Sequence, residues 1–456
     1  MASSDTSNET PFAYAVPDAD LELLQKKLGL TRLPDELEDA GWEYGVPLSD
    51  IRALVERWRN GFDWRAVERS LNTLPMFTRP ITVDDWGTFT VHYVHQRSER
   101  AGAIPLLFIH GWPGSFIEVQ KILPLLVNPE DPNAPAFHVV AISVLGFGPS
   151  EGHHKAGPFS LHEYAEASNK LMLALDYPEF VTQGGDLGYG ISRTMASKYG
   201  HKHVKAWHTN FPSVVNYPSF FKHPILYLQN LFPSIFYSDF ERKGFERRAW
   251  FFRTNPGYFT MHQTKPQTLG YSLADSPVGL LAWMYEKMVT WSDGYDWSDD
   301  EVLTWVSIYW FSRAGPTAST RIYVYEHSVF QVPTPTIPMG ISYFPKEIFP
   351  TPRSWARTLG NVVAESEHSD GGHFASHERP EVLHHRSARR AERVQNVDCR
   401  SDLSVITPRC FMGNREHPSI KMTSGQLDRA RADAQSVSSL SPVRRSGPPC
   451  PQSSGG

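Results

Sequence analysis

An aspartate is at the centre of the most distinctive motif in the chain, GGDLG at residues 184–188, where the central residue is Asp186. The motif follows the strand-like run EFVTQ and precedes the helical run YGISRTMASKYG. A tight strand-to-helix turn that projects a nucleophile needs small residues on both sides of it. A carboxylate is ionised at neutral pH and attacks without a base, so a nearby histidine is free to activate water in a second step. The alternative is a glycine-rich turn whose aspartate only caps the helix.

A second motif, HGWPGS at residues 110–115, directly follows the apolar run IPLLFI. Where a strand-to-helix turn carries the nucleophile, one oxyanion-binding N–H comes from the residue after the nucleophile, and a second comes from the loop after an earlier strand. Those positions are Leu187 and Trp112 here. A plain Gly-Pro turn is the alternative, but the loop follows a buried strand at the expected place in the chain order.

The candidate base is His373, in the run DGGHF after the strand-like NVVAES. In the chain order nucleophile, acid, histidine, the acid lies between Asp186 and His373, near the end of the preceding strand. Glu347 fits that place. Asp370 and Glu367 are nearer in sequence, but a carboxylate at the preceding strand end can reach the far imidazole nitrogen.

The elements around these residues predict an α/β fold. Residues 1–90 carry helical patterns such as LSDIRALVERWRN, and short apolar runs alternate with helical runs after Gly87. This alternation favours a mostly parallel sheet covered on both faces. An aromatic, helical stretch then interrupts the sheet, which predicts a lid above an apolar pocket. The predicted divisions are an N-terminal region 1–90, a core 91–212 and 320–383, a cap 213–319 and a tail 384–456.

With these motifs, the chain from about Phe12 to Leu383 resembles the microsomal-type epoxide hydrolases of the α/β-hydrolase superfamily. The N-terminal runs RLP, WEYG and FDWR are similar to that group's own N-terminal domain, and the runs QTKPQT and DSPVGL are similar to its cap. The resemblance implies an α/β-hydrolase fold and hydrolysis of an epoxide to a vicinal diol through an ester on Asp186. It implies no metal and no organic cofactor.

The resemblance also implies that two cap tyrosines, matched here by Tyr258 and Tyr309, hold the epoxide oxygen. A phenol stays protonated at neutral pH and can donate to the oxygen as the ring opens. Two alternatives remain. A haloalkane dehalogenase uses the same aspartate but needs halide-binding donors in place of the phenols, and a catalytically dead protein would keep only a lipophilic pocket.

Composition favours a small molecule over a polymeric partner, and the resemblance implies that this molecule is a lipophilic epoxide. The net charge of −5 gives no bulk reason to expect nucleic acid or an anionic membrane. No apolar run approaches a membrane span, and the N-terminus lacks a secretory pattern, so we expect a cytoplasmic, soluble protein that could form a homodimer.

The composition changes sharply near residue 384. All three cysteines lie beyond that point, and Phe411 is the only aromatic residue there. The tail carries 12 Lys and Arg against 6 Asp and Glu. This polar composition predicts a disordered, basic appendage without a role in the chemistry. Because residues 1–383 contain no cysteine, the predicted site depends on neither a disulfide nor a thiolate.

Overall fold

The computed structural model describes residues 9–214 and 217–381. A nine-stranded sheet with the order β1-β2-β3-β5-β4-β6-β7-β8-β9 runs through the centre. Its strands are β1 Thr10–Pro11, β2 Met76–Val83, β3 Gly87–Gln96, β4 Ile104–Ile109, β5 Phe137–Ile142, β6 Phe180–Gly184, β7 Val204–Thr209, β8 Pro338–Tyr343 and β9 Asn361–Glu367. The tail predicted from residue 384 lies outside the described residues.

The sheet is antiparallel at one edge and parallel elsewhere. Strands β1, β2, β3 and β5 pair antiparallel, whereas β4 pairs parallel with both β5 and β6, and the parallel order continues to β9. Parallel strands buried on both faces are continuous apolar runs, and Leu107, Val139 and Val140 are fully buried. The carboxyl ends of β4, β6, β8 and β9 therefore meet at one edge, where the loops of the predicted site begin.

Helices pack against the sheet. The helix after β6 is buried at every position from Leu187 to Ala196 because it packs between the sheet and its neighbours. These core helices are a 3-10 turn Phe116–Val119, α4 Leu123–Val127, α5 Leu161–Ala174, α6 Leu187–Tyr199, α14 Arg353–Ala356 and α15 Ala375–Glu378.

The N-terminal region forms three helices, α1 Asp18–Gly29, α2 Leu48–Asn60 and α3 Trp64–Leu71. Buried Ile51, Leu54, Val55 and Trp58 recur three and four apart along α2, which is the helical spacing seen in the sequence. The predicted helical N-terminal region, 1–90, also contains strand β2, which begins at Met76. Its sequence MFTRPITV alternates between buried and more exposed residues in its second half, as a strand does.

Between β7 and β8 the chain forms the cap, whose regular elements are helices in the part that the structure describes. Its helices are α7 Pro224–Leu231, α8 Pro233–Phe236, α9 Asp239–Thr254, α10 Pro256–Thr264, α11 Pro266–Asp275, α12 Pro277–Trp291, α13 Asp299–Trp310 and a 3-10 segment Ala318–Gln331. The chain rejoins the sheet at Pro338, within the run TPTIPMGIS. The 3-10 segment before it, most of which falls in the range 320–383 assigned to the core, packs against α10, α5 and α6.

Candidate active site

Asp186 occupies a strained turn between β6 and α6. Its φ of 51° and ψ of −124° are rare for a residue with a side chain. A Cβ at Gly188 would overlap the carbonyl oxygen of Ile109 on β4, so only glycine lets α6 start this close to the neighbouring strand. The glycines of the motif therefore allow the turn that directs Asp186 into the cavity.

The loop after β4 brings an N–H group to the aspartate. The Trp112 backbone N–H donates to Asp186 Oδ1 at 2.8 Å, and the Leu187 backbone N–H also hydrogen-bonds the carboxylate. Burial raises the pKa of Asp186, although the His373 charge and these two N–H groups act in the opposite direction. Two backbone donors thus contact the carboxylate, which suits the stabilisation of an oxyanion at this carbon.

His373 lies on the other side of Asp186. Its Nε2 is 3.6 Å from Asp186 Oδ2, and its Nδ1 is 2.6 Å from Glu347 Oε1. Burial lowers the pKa of His373, but the charge and hydrogen bond of Glu347, together with the Asp186 and Glu118 charges, outweigh this effect and raise the pKa to about 9. The three residues form one continuous chain of ionisable groups.

The other two candidate acids are paired elsewhere. Asp370 Oδ2 accepts from Arg379 at 2.6 Å, and Glu367 Oε2 accepts from Arg353 at 2.5 Å. Glu347 is almost fully buried, with 2% of its surface exposed. Among the three carboxylates weighed from the sequence, Glu347 is the one beside His373.

The loop that carries His373 is held by Glu378 on α15. This buried carboxylate accepts N–H groups from Gly372 at 3.1 Å, Phe374 at 2.9 Å and Asp293 at 2.8 Å. Burial raises its pKa to about 6, since these hydrogen bonds offset only part of the cost. Glu378 therefore fixes the backbone on both sides of His373 and ties it to the end of the cap helices.

Tyr258 on α10 lies against the oxyanion loop. Its ring stacks on Trp112 with centroids 5.3 Å apart and an interplanar angle of 12°. Burial, followed by the nearby Asp186 charge, raises the pKa of Tyr258 well above its usual value. The phenol thus stays protonated close to the carboxylate.

Tyr309 on α13 is also buried, but its hydroxyl is engaged with the protein backbone. It donates to the Gly114 carbonyl oxygen at 2.6 Å. A donor committed in this way holds the 110–115 loop and is not directed at a substrate oxygen. The geometry therefore does not favour the expectation that Tyr309 holds the epoxide oxygen.

Tyr323, which the sequence reasoning missed, is the better placed second phenol. It is buried on the 3-10 segment, its ring lies 6.2 Å from that of Tyr258, and the two phenols interact through their side chains. Burial and then the Asp186 charge raise its pKa well above the usual value. Nothing in the spacing of Tyr323 separates it from the other 17 tyrosines, because its position depends on how the cap folds back over the sheet.

A further carboxyl that the sequence reasoning missed, Glu118, lines the same cavity as Asp186 and His373. The available signal was an acidic residue inside the otherwise apolar run FIEV, just after the oxyanion loop. Across residues 9–214 and 217–381, no cluster of three or more His, Cys, Asp or Glu is arranged to hold a metal ion.

Known proteins match this chain over most of its length. The family "Epoxide hydrolase N terminus" matches residues 9–119, and "alpha/beta hydrolase fold" matches residues 104–259. A protein of Stigmatella aurantiaca named as an epoxide hydrolase is 36% identical over 387 residues, which cover 82% of this chain and 83% of that protein. This chain belongs to the epoxide hydrolase family. Its predicted membership of that family is therefore confirmed.

Other epoxide hydrolases agree. Epoxide hydrolase 1 of Sus scrofa is 32% identical, covering 84% of this chain and 88% of its own. The structure of Aspergillus niger epoxide hydrolase is 31% identical, with a TM-score of 0.75, over 86% of this chain and 98% of its own. The predicted α/β-hydrolase fold of this epoxide hydrolase is thus confirmed. In the part of the chain that the structure describes, no helix is both long and apolar enough to cross a bilayer.

Proposed function

We propose that this epoxide hydrolase opens its substrate through a covalent ester on Asp186. The observation that carries the proposal is the position of the Asp186 carboxylate, with two backbone N–H groups beside it and His373 Nε2 at 3.6 Å. Oδ1 accepts from Trp112, so Oδ2 is the oxygen available to attack. This arrangement suits a nucleophile whose ester is later cleaved by water.

In the first half-reaction, Asp186 Oδ2 forms a bond to an epoxide carbon while the ring C–O bond breaks. The released oxygen takes a proton from Tyr258 or Tyr323, which leaves a hydroxyalkyl ester and a tyrosinate. The raised pKa values of both phenols keep the proton in place until the basic alkoxide develops. We assign Tyr309 to holding the Gly114 carbonyl, on the basis of its 2.6 Å hydrogen bond.

In the second half-reaction, His373 Nε2 removes a proton from water, and the resulting hydroxide attacks the ester carbonyl. The oxyanion forms on Oδ1, where Trp112 and Leu187 donate to it, a contact type worth roughly 3–4 kcal/mol. Collapse expels the diol oxygen, which takes the proton from His373. The proton left on the Asp186 carboxyl returns to the tyrosinate, so the site is restored, with Glu347 keeping the imidazole oriented.

The substrate is a lipophilic epoxide. Aromatic rings surround Tyr258, with Trp291 at 5.2 Å, Trp112 at 5.3 Å and Phe251 at 6.5 Å between centroids. Such a lining favours apolar substituents on the ring, with the phenols as the polar contacts. We also keep two expectations from the sequence, a cytoplasmic location and the capacity to form a homodimer, which cell fractionation and light scattering test.

Turnover of styrene oxide tests the proposed function. Asp186→Ala should abolish turnover, because no ester can form, while the circular dichroism spectrum of the variant stays native. Asp176→Ala is a matched control, since Asp176 is an exposed aspartate with a similar positive φ of 62°. Full activity in Asp186→Ala, or faster turnover of a haloalkane than of styrene oxide by the native enzyme, would contradict the proposal.

A further inference from the structure

The carboxyl group of Glu118 has no role in the mechanism proposed above. Glu118 lies on the 3-10 turn Phe116–Val119, directly after the loop that supplies the Trp112 N–H. Its side chain is partly buried and lines the cavity that also contains Asp186, His373 and Ser376. A carboxyl group is expensive to bury, so its position next to the two reacting groups calls for a physical reason.

The neighbouring loop is built around this carboxyl. A Cβ at Gly114 would overlap Glu118 Oε1, so the glycine leaves the space that the carboxyl occupies. The Gly114 carbonyl is fixed in turn by the Tyr309 hydroxyl at 2.6 Å. The inward position of Glu118 therefore depends on one small residue and one buried hydrogen bond from the cap.

The charges around Glu118 change during the proposed reaction. Burial raises the pKa of Glu118 to about 8; the His373 charge opposes this and the Asp186 charge adds to it. When Asp186 becomes a neutral ester, its contribution disappears and the pKa of Glu118 falls. The same loss removes one of the charges that raise the pKa of His373. Ester formation thus removes one contribution that raises the pKa of Glu118 and one that raises the pKa of His373.

The cavity between these groups suits a single water molecule. The volume accessible to water is about 20 Å³, whereas one water needs roughly 10–15 Å³. A buried water is stable only with two to four polar partners. Glu118, His373 and Ser376 all line this cavity and provide them.

We propose that Glu118 is a positioning residue that holds the hydrolytic water for His373. The water donates one hydrogen to the Glu118 carboxylate and the other to His373 Nε2, and its oxygen faces the Asp186 ester carbonyl. Only His373 takes a proton. Glu118 holds the water by a hydrogen bond, and it neither takes a proton nor forms a covalent bond. This role rests on the ester mechanism proposed above and concerns its second half alone.

Single-turnover kinetics with styrene oxide tests this role, with rapid quenching and intact-protein mass spectrometry to follow the ester. Glu118→Gln keeps the size of the side chain but cannot become ionised. Ester formation should stay within about twofold of native, whereas ester hydrolysis should slow about 10- to 100-fold, the effect of losing one charge-assisted hydrogen bond. Glu118→Asp keeps the acid but shortens the side chain, so its rate of ester hydrolysis should lie between that of the native enzyme and that of Glu118→Gln.

The control is Glu166→Gln, which removes another buried carboxyl, located on α5 and paired with Lys170. It should accumulate no ester. The Glu118 role is overturned if Glu118→Gln hydrolyses the ester at the native rate, if both halves slow equally, or if Glu166→Gln accumulates the same adduct. If neither the native enzyme nor His373→Gln forms an ester, the ester mechanism itself fails, which is a separate result.

Discussion

At the residue scale, the site balances burial against charge. Burial alone raises the pKa of Asp186 and would make it a poor nucleophile, but the His373 charge and two backbone N–H groups stabilise the ionised form. The same burial keeps the phenols of Tyr258 and Tyr323 protonated. The same buried site thus contains a carboxylate that must be ionised, Asp186, and two phenols that must stay protonated, Tyr258 and Tyr323.

The tyrosines can be separated by their effect on ester formation. We expect Tyr258→Phe and Tyr323→Phe each to slow alkylation roughly 100-fold or more, because each loses a proton donor to the leaving oxygen. Tyr309→Phe should leave alkylation much closer to native, because its hydroxyl donates to the Gly114 carbonyl. Stopped-flow measurement of the alkylation phase distinguishes them. A larger defect in Tyr309→Phe than in Tyr323→Phe would restore the assignment made from the sequence.

The pH dependence of ester hydrolysis depends on Glu347. His373 must be neutral to accept a proton, so the hydrolysis rate should rise as the pH passes its pKa. Burial lowers this pKa, whereas the charge and the hydrogen bond of Glu347 raise it, so Glu347→Gln should move the midpoint to lower pH while reducing the maximum rate. Glu365→Gln, in which Glu365 pairs with Arg357 at the sheet edge, is the control. A midpoint that stays in place or rises in Glu347→Gln would contradict the assigned acid.

At the element scale, the position of Asp186 depends on how closely α6 approaches β4. The two elements meet where Gly188 lies against the Ile109 carbonyl, and that strand also leads into the Trp112 loop. The nucleophile and the oxyanion donors are thus held by one strand–helix contact. This contact cannot adjust easily, because the atom that a Cβ at Gly188 would meet is the backbone carbonyl oxygen of Ile109, not the end of a flexible side chain.

Gly188→Ala should therefore destabilise the protein by roughly 1–3 kcal/mol, the usual cost of overpacking, and should also reduce turnover. Gly257→Ala on α10 is the matched control, since a Cβ there meets nothing within 4 Å. Chemical denaturation and a styrene oxide assay measure both effects. An unchanged stability and activity in Gly188→Ala would show that the contact is not needed.

The sequence predicts the elements whose signals are local. The 184–188 motif, the 110–115 loop and the alternating strands after Gly87 carry their own patterns, because turn geometry and strand burial constrain neighbouring residues directly. Tyr323 and Glu118 could not be found in this way. Their roles depend on a cap segment that folds back over the sheet and on a glycine four residues before Glu118, and neither relation has a periodic signal.

At the scale of the whole molecule, the N-terminal helices brace the cap. Arg57 on α2 makes a two-point contact with Asp300 on α13, and Lys27 on α1 pairs with Asp275 on α11. Trp58 is 1% exposed and lies opposite Ser307 and Phe311 at the end of α13. The cap carries the phenols, so the N-terminal region contributes to the site without touching it.

Trp58→Ala should destabilise the protein by roughly 3–5 kcal/mol, the range for removing a buried aromatic side chain. Tyr44→Ala, at a site that is 73% exposed, should change stability little. Thermal denaturation of both variants tests the prediction. Equal melting temperatures for Trp58→Ala and the native protein would mean that the N-terminal helices do not stabilise the cap.

The central claim, an ester on Asp186, is tested most directly by one turnover in oxygen-18 water with enzyme in excess of styrene oxide. Water attacks the ester carbonyl, so the label should appear in the carboxylate of Asp186, and the diol should contain the unlabelled oxygen that Asp186 donated. Mass spectrometry of the diol and of the peptide that contains Asp186 shows which of them carries the oxygen-18 label. Label in the diol, with none in the peptide, would mean that water attacks the epoxide directly and would contradict the account.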